Sequence, residues 1–359
     1  MIYKKIEAAA VLLLLLSTIY GVRVAIKTPQ RLRRPVMAAC WLYGLATVGL
    51  WLIVHETGDR WWPVTVFLFG PRWVWLLPLV PLAVAAAWIR RQALWVLLSA
   101  ACIVLFPVMG FQVPWRLAIP HPHEGPHLRI LTCNLHKQDA AALVAVVAAA
   151  EPDVVVIQEW PAQQAAPAFG RGNWQVSTNG ELLLASRYPI CKVDDLAVGS
   201  WPTPGNAVCY ELETPGARVR LINLRLASPH PQLEDLRWHS PLGPAEVQSN
   251  SVLRLEQARI ISDYATTLGP STLLAGDFNT PWGSVILRQC WSRFANAFSM
   301  GGCGFGNTYR APWMSTRIDY ILAGPAWRCR RCRLGPDVGS PHRPLIADLE
   351  YIAGVTARR

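Results

Sequence analysis

Acidic residues are nearly missing from the first third of this chain. Before residue 127 there are 4 Asp and Glu against 12 Lys and Arg, and after it 19 against 22. Of the formal net charge of +11, therefore, +8 belongs to the first part and +3 to the second. A pI near 9.5 invites a nucleic-acid reading, but most of the excess lies beside long apolar runs, where positive charge sets membrane orientation. Two further absences narrow the classes. No second Cys-x-x-Cys pair accompanies Cys329-Arg330-Arg331-Cys332, which argues against a zinc ribbon, and its neighbours are wrong for a thioredoxin. No small-x-small cleavage site follows Leu16, so the opening apolar run reads as an anchor ahead of a cleaved signal peptide.

What is present divides near residue 126. A chain of 359 residues predicts two or more folding units. Residues 6–22, preceded by Lys4 and Lys5, have about the length that spans a hydrocarbon core. A second apolar span covers 36–54, with Trp61 and Trp62 as interfacial anchors. Gly70-Pro71-Arg72 then separates an interfacial or re-entrant piece from a third span at 73–89, and a fourth follows at 94–111. The basic loops holding Arg23 to Arg34 and Arg90-Arg91 flank a loop with Glu56 and Asp59, which places the basic loops in the cytoplasm and everything after residue 112 outside it. Lys4 and Lys5 run against this topology. The expected organisation is a membrane region at 1–112 with three to four transmembrane helices, a linker at 113–127, a folded domain at 128–352 and a tail at 353–359. The expected location is a bacterial-type inner membrane, multi-pass, with the lipid bilayer as partner and the domain on the exocytoplasmic side. The linker histidines His121, His123 and His127 read as hydrated rather than metal-binding.

From residue 128 the texture changes to short strands and amphipathic helices. Strands are predicted at 128–134, 154–159, 181–186, 207–213, 219–226, 273–277, 318–322 and 345–351, with helices at 139–150, capped by Asp139, and at 251–268. Many strands in loose alternation with few helices predict two packed sheets with helices outside. Several strands finish in polar residues able to reach one place: Asn134, Glu159, Asp277 with Asn279, and Asp319, with His342 in the turn before the last strand. In Leu273-Leu274-Ala275-Gly276-Asp277-Phe278-Asn279, the acid and the amide share a strand face. One such end usually satisfies a turn. Several converging ends point to a site.

In this order, Leu131-Thr132-Cys133-Asn134, Ile157-Gln158-Glu159, Asn223-Leu224-Arg225-Leu226, Gly276-Asp277-Phe278-Asn279, Arg317-Ile318-Asp319-Tyr320 and Ser340-Pro341-His342-Arg343-Pro344 make the chain resemble the endonuclease/exonuclease/phosphatase (DNase I-like) superfamily over residues 128–352. The resemblance implies an α+β, four-layer α/β sandwich preceded by the α-helical transmembrane region, and hydrolysis of a phosphate ester, in lipid or nucleic acid, by activated water. It implies Glu159 and Asn134 as ligands of Mg²⁺ or Mn²⁺, Asp277 as the group that orients or deprotonates water, Asn279 on a phosphate oxygen, and His342 with Asp319 on the developing charge. Two positions depart from the pattern. Arg225 stands where many relatives carry histidine, and it can clamp phosphate but not act as a general acid. Pro341 stands where an aspartate is usual, with Asp337 and Asp348 as possible substitutes. These departures motivate the alternative of a degenerate membrane receptor or scaffold that binds an anionic ligand.

Three other features are left open by the residues. Cys303, Cys329 and Cys332 allow either a disulfide or free thiols. Arg328, Arg330, Arg331 and Arg333 form either a rim for an anionic substrate or a solvated edge. The proline-rich insert at 228–248, with Trp238 and His239, reads as a shaped loop or a membrane-facing lip.

Overall fold

The structure is a computed structural model that describes residues 29–115, 125–161, 169, 173–196, 206–237, 242–311 and 314–352. The expected first span at 6–22, His121 and His123, Trp238 and His239, and the tail at 353–359 lie outside the described residues.

The first part is helical: α1 (Pro29–Glu56), a short turn at Gly58–Arg60, α2 (Trp62–Phe69), a 3-10 turn at Arg72–Leu76, α3 (Leu79–Ile89) and α4 (Ala93–Ile103), which widens into a π turn at Val104–Val108. Among the described residues two helices are long and apolar enough to cross a membrane, Gln30–Glu56 and Arg72–Ile89. The span expected at 94–111 is the shorter helix Ala93–Val108, below the roughly 20 residues that a perpendicular crossing needs. The piece expected to be interfacial or re-entrant is α2, which buries Val64, Thr65, Leu68 and Phe69.

The second part runs β1 (His127–Asn134), α5 (Ala141–Ala150), β2 (Val154–Gln158), β3 (Gln175–Asn179), β4 (Leu182–Ser186), β5 (Ile190–Asp195), β6 (Asn206–Thr214), β7 (Ala217–Arg225), α6 (His230–Arg237), α7 (Gly243–Thr267), β8 (Leu273–Asp277), α8 (Val285–Cys290), β9 (Ala295–Asn296), α9 (Ala297–Gly301), β10 (Tyr309–Ala311), β11 (Met314–Thr316), β12 (Asp319–Ala323), β13 (Trp327–Leu334) and β14 (Leu345–Tyr351). Two six-stranded mixed sheets form, ordered β13-β14-β1-β2-β4-β3 and β5-β6-β7-β8-β12-β9, with β10-β11 as a separate pair. The parallel pairs are β1 with β2 and β7 with β8, and the other pairs are antiparallel.

Alternation along each strand decides the layers. Ile130, Val154 and Val156 of the first sheet meet Val208, Leu221 and Leu273 of the second in the central core. The opposite face of the first sheet, with Leu131, Val155 and Ile157, packs on Leu143 and Val147 of α5. The outer face of the second, with Ile222, Leu224 and Leu274, packs on Ala258, Ile261 and Ala265 of α7. Helix, sheet, sheet and helix make the expected sandwich. The proline-rich insert is mostly helical instead of loop: Pro231 and Pro244 are the second residues of α6 and α7, positions where a missing N–H costs nothing.

The helical part is joined to the sandwich through buried polar groups. Asp59 accepts hydrogen bonds from Ser284 Oγ (2.7 Å) and Val285 N (3.1 Å), reinforcing the cap of α8, and stands 4.0 Å from the buried Arg254. Arg254 donates to the Asn279 carbonyl (2.5 Å) and to Ser251 Oγ. Arg72 donates to the carbonyls of Val108 (2.8 Å) and Trp282 (2.9 Å) and to Thr316 Oγ1, while Gln112 and Gly304 exchange backbone bonds. Burial lowers the Arg254 pKa and Asp59 opposes that shift, so losing Asp59 strands a charge in the interior. Asp59→Ala is expected to destabilise the full chain by about 3–5 kcal/mol, read as a drop in the urea midpoint in detergent. An unchanged midpoint would show the pair to be inconsequential.

Candidate active site

Strand register assembles the site. In the second sheet Arg225 of β7 and Asp319 of β12 both pair with Asp277 of β8 and so form one row. In the first sheet Asn134 ends β1, and Glu159 follows directly on β2. Gly276 has φ +148°, and a Cβ there would lie 2.0 Å from the Leu224 carbonyl oxygen, so only glycine lets β8 come this close to β7 just before Asp277. Glu159 (φ 50°), Asn279 (φ 46°) and His136 (φ 50°) all have left-handed backbones. Strained non-glycine residues gathered in one place are a mark of a functional site.

The residues expected from the sequence are brought together, and their hydrogen bonds sort their roles. Asn134 Nδ2 donates to Glu159 Oε1 (2.9 Å) and to Asp277 Oδ2 (2.9 Å), and its Oδ1 accepts from His136 N (2.8 Å). It therefore bridges the two carboxylates with its nitrogen. Asn279 likewise commits both hydrogens of its amide nitrogen, to the Leu226 carbonyl (2.8 Å) and to Asp277 Oδ2 (3.2 Å), while its backbone N–H donates to Asp277 Oδ1 (2.9 Å). In this arrangement both amide hydrogens of Asn279 are engaged within the protein, where they help to orient Asp277. His342 Nδ1 lies 2.9 Å from Asp319 Oδ2. Its turn is held by the bond from His342 N to Ser340 Oγ (3.1 Å), and Ser340 Oγ donates to the Asn134 carbonyl (2.7 Å). Pro341 is accommodated because these bonds, with Arg310 N to the Pro341 carbonyl (2.8 Å), fix the turn.

Arg225 Nη2 lies 2.8 Å from Glu159 Oε1, so the arginine sits on the carboxylate as well as beside the cleft. Neither Asp337 nor Asp348 replaces the acid missing at Pro341. Asp337 accepts from Gly339 N, and Asp348 pairs with Arg129, five residues before Asn134 along β1.

Electrostatics separate the acids. Burial opposes ionisation of Glu159, but the hydrogen bond from His136, the Arg225 charge and the Asn134 amide outweigh it and hold the carboxyl at about 2. Burial and then the neighbouring Asp319 push Asp277 up to about 6. Burial works against charge on His342, but Asp319 prevails and raises it to about 9. Two carboxylates with such different affinities for a proton suit different tasks.

Ionised Glu159 and Asp277 on either side of one amide nitrogen offer the hard oxygens that Mg²⁺ or Mn²⁺ takes with several waters. They fit, with Glu159 Oε2 turned toward His136 (3.4 Å) and Oε1 shared with Arg225. One ligand atom each of Asp277, Asp319 and His342 also lie within 4.8 Å of one another. That buried trio could also hold a cation, with Asp319 on the histidine Nδ1.

The cleft has a volume of about 260 Å³ and is lined by Glu159, Arg225, Asp277, Asn279 and His342. Asn134 and Asp319 lie behind this lining, fully buried. Sequence reasoning missed His136, Tyr309 and Phe69, which also line the cleft. The signal for His136 was its place two residues after Asn134. Phe69 carried no local signal. Asn223 was quoted only as motif context, yet it ties the sheets together, accepting from Gln158 Nε2 (2.8 Å) and donating to the Ile157 and Leu183 carbonyls. The β13 arginines do not line the cleft. Arg330, Arg331 and Arg333 line a separate hollow with Phe298 and Cys303. All nine cysteines are free. A bulge between Cys329 and Arg331 resets the alternation, which puts both Cys329 and Cys332 into the central core.

Residues 131–342 match the Endonuclease/Exonuclease/phosphatase family, well over half of the chain. The chain belongs to that family. Membership supports a phosphate-ester hydrolase. Solved structures of similar fold include the family protein of Beutenbergia cavernae DSM 12333, with 20% identity, 63% of this chain and 72% of that chain covered, and a TM-score of 0.46. TDP2 of D. rerio, complexed with a single-strand DNA product, has 17% identity, coverage of 62% and 99%, and a TM-score of 0.49. A family protein of Bacteroides thetaiotaomicron has 14% identity, coverage of 64% and 99%, and a TM-score of 0.48. No curated protein matches the chain.

Proposed function

We propose that the chain is a membrane-anchored, divalent-metal-dependent phosphoesterase. The observation that carries the reading is the convergence, in one cleft, of a strongly acidic Glu159, a weakly acidic Asp277 and the Asp319–His342 pair. Glu159 and Asp277 would hold the cation, which supplies positive charge to the phosphate oxygens when bound. Asp277, fixed by Asn134 and Asn279, orients a water and takes up its proton as the new P–O bond forms. The ester P–O bond breaks, and the departing oxygen takes its proton from solvent water, since Arg225 cannot donate one. The His342 imidazolium, held by Asp319, stabilises the negative charge that builds on phosphate oxygens, with Arg225 beside it.

The membrane part of the proposal rests on the two long apolar helices and on the basic loops read from the sequence. It keeps the organisation of a membrane region at 1–112, a linker at 113–127, a catalytic domain at 128–352 and a tail at 353–359, with the domain on the exocytoplasmic side of an inner membrane. A second reading, an anion-binding receptor, is favoured by the Arg225–Glu159 pair, which occupies an oxygen that a cation would use.

The deciding experiment measures hydrolysis of bis-p-nitrophenyl phosphate by the purified full chain, with and without Mn²⁺, beside Glu159→Gln. Metal-stimulated hydrolysis that falls about 10²-fold or more in the variant is expected. Equal rates for both proteins would end the enzyme reading.

A further inference from the structure

The cleft lining mixes charged with apolar residues, and the phosphoesterase reading accounts only for the charged ones. Besides Arg225, Asp277 and His342, the lining includes Phe69, Leu233, Met314 and Ile318. Phe69, Met314 and Ile318 form a buried cluster of their own, with Leu233 and Tyr309 packed against it. This wall is composite: Phe69 comes from α2, Leu233 from α6 and Met314 from β11. Without the helical part docked by Asp59 and Arg72, the site would lack the Phe69 side. The segment that brings Phe69 continues directly into Trp73 and Val74, both exposed. The same helical part leaves Leu42, Trp88 and Trp95 more than half exposed. An apolar surface of this kind calls for an apolar medium.

Resting on that reading, we propose that the substrate is an amphiphilic phosphate ester taken from the lipid phase, with its phosphate between Arg225 and His342 and the adjoining hydrocarbon along Phe69, Leu233, Met314 and Ile318. The lining suits such a molecule: Arg225 and His342 offer positive charge to a phosphate, and Phe69, Leu233, Met314 and Ile318 offer hydrocarbon beside the polar Ser228, His230 and Tyr309. A hydrated sugar-phosphate chain laid on that wall would lose water from its hydroxyls without gaining hydrogen bonds there. A lipid chain gains from the same burial.

The test uses the full chain in nanodiscs and a series of alkyl p-nitrophenyl phosphates from ethyl to octyl. The expected result is that kcat/KM climbs along the series, by up to roughly fourfold for each methylene that reaches the wall, the factor that burying one CH2 supplies. Leu233→Gln and Met314→Gln are expected to flatten the climb, which separates contact with the wall from simple partition into the disc. Hydrolysis that does not vary with chain length, or a climb that both variants retain in full, overturns the inference and leaves the phosphoesterase reading standing. If no ester is hydrolysed, that reading fails, and calorimetry with octyl phosphate and inorganic phosphate decides the inference alone. Tighter binding of octyl phosphate that Leu233→Gln weakens supports it, and equal binding of the two ligands overturns it.

Discussion

Asp277→Asn is expected to lower kcat/KM for bis-p-nitrophenyl phosphate by about 10²–10⁴-fold, the range that a positioned general base supplies. The residue is 2% exposed and receives bonds from three donors, Asn134 Nδ2, Asn279 Nδ2 and Asn279 N. Water therefore meets a carboxylate whose orientation is already set. Its raised pKa of about 6 makes it a better proton acceptor than an ordinary aspartate, while leaving it mostly ionised at neutral pH. An asparagine keeps the shape but turns an NH2 group toward donors, which costs on the order of 1–3 kcal/mol in stability. Thermal melting of the variant checks that it remains folded. A folded variant with wild-type turnover would remove Asp277 from the chemistry.

His342→Gln is expected to cost about 10²–10³-fold, the loss seen when one donor to a developing oxyanion is removed. The pH profile identifies the cause. The charged form is the acid form, and the pKa is raised from 6.5 to about 9 because Asp319 outweighs burial. Activity that depends on the imidazolium is therefore full below that value and falls as pH rises through about 9. Asp319→Asn removes the leading stabiliser of the charge, so the basic limb should move downward, toward or below 6.5. His342→Gln should show no limb of this origin. A limb that stays in place in both variants would mean that another group titrates there.

The elements most legible in the chain include those with both faces buried. β2 and β8 are continuous apolar runs that end in a polar residue, and both were placed within a residue or two. β3 (Gln-Val-Ser-Thr-Asn) escaped notice because it is a partly exposed edge strand with little apolar content. β13 escaped because its bulge breaks the period of two on which the reading relies. The prolines near 229–244 looked like loop marks. Pro231 and Pro244 stand at helix starts, and the same residue type serves both purposes. The motif acids and amides were legible as strand ends, but the hydrogen bonds that join them were not. Whether an asparagine presents its oxygen or its nitrogen depends on neighbours far away in the chain, and for Asn134 those are Glu159 and Asp277.

By itself, then, the chain's pattern determined a two-sheet sandwich, the set of polar residues collected at its strand ends, and apolar helices ahead of it. Periodicity and strand-end chemistry are local, and they survive without coordinates. Tertiary structure alone decided the register that sets Arg225, Asp277 and Asp319 in one row, and the docking of the helical part that carries Asp59 to Arg254 and Phe69 into the cleft. An aspartate after a helix reads the same in sequence whether it is hydrated or buried against an arginine. A phenylalanine in an apolar helix likewise reads the same facing lipid or lining a reaction site. Only the partner across space distinguishes them, because burial and pairing are properties of the contact rather than of the residue.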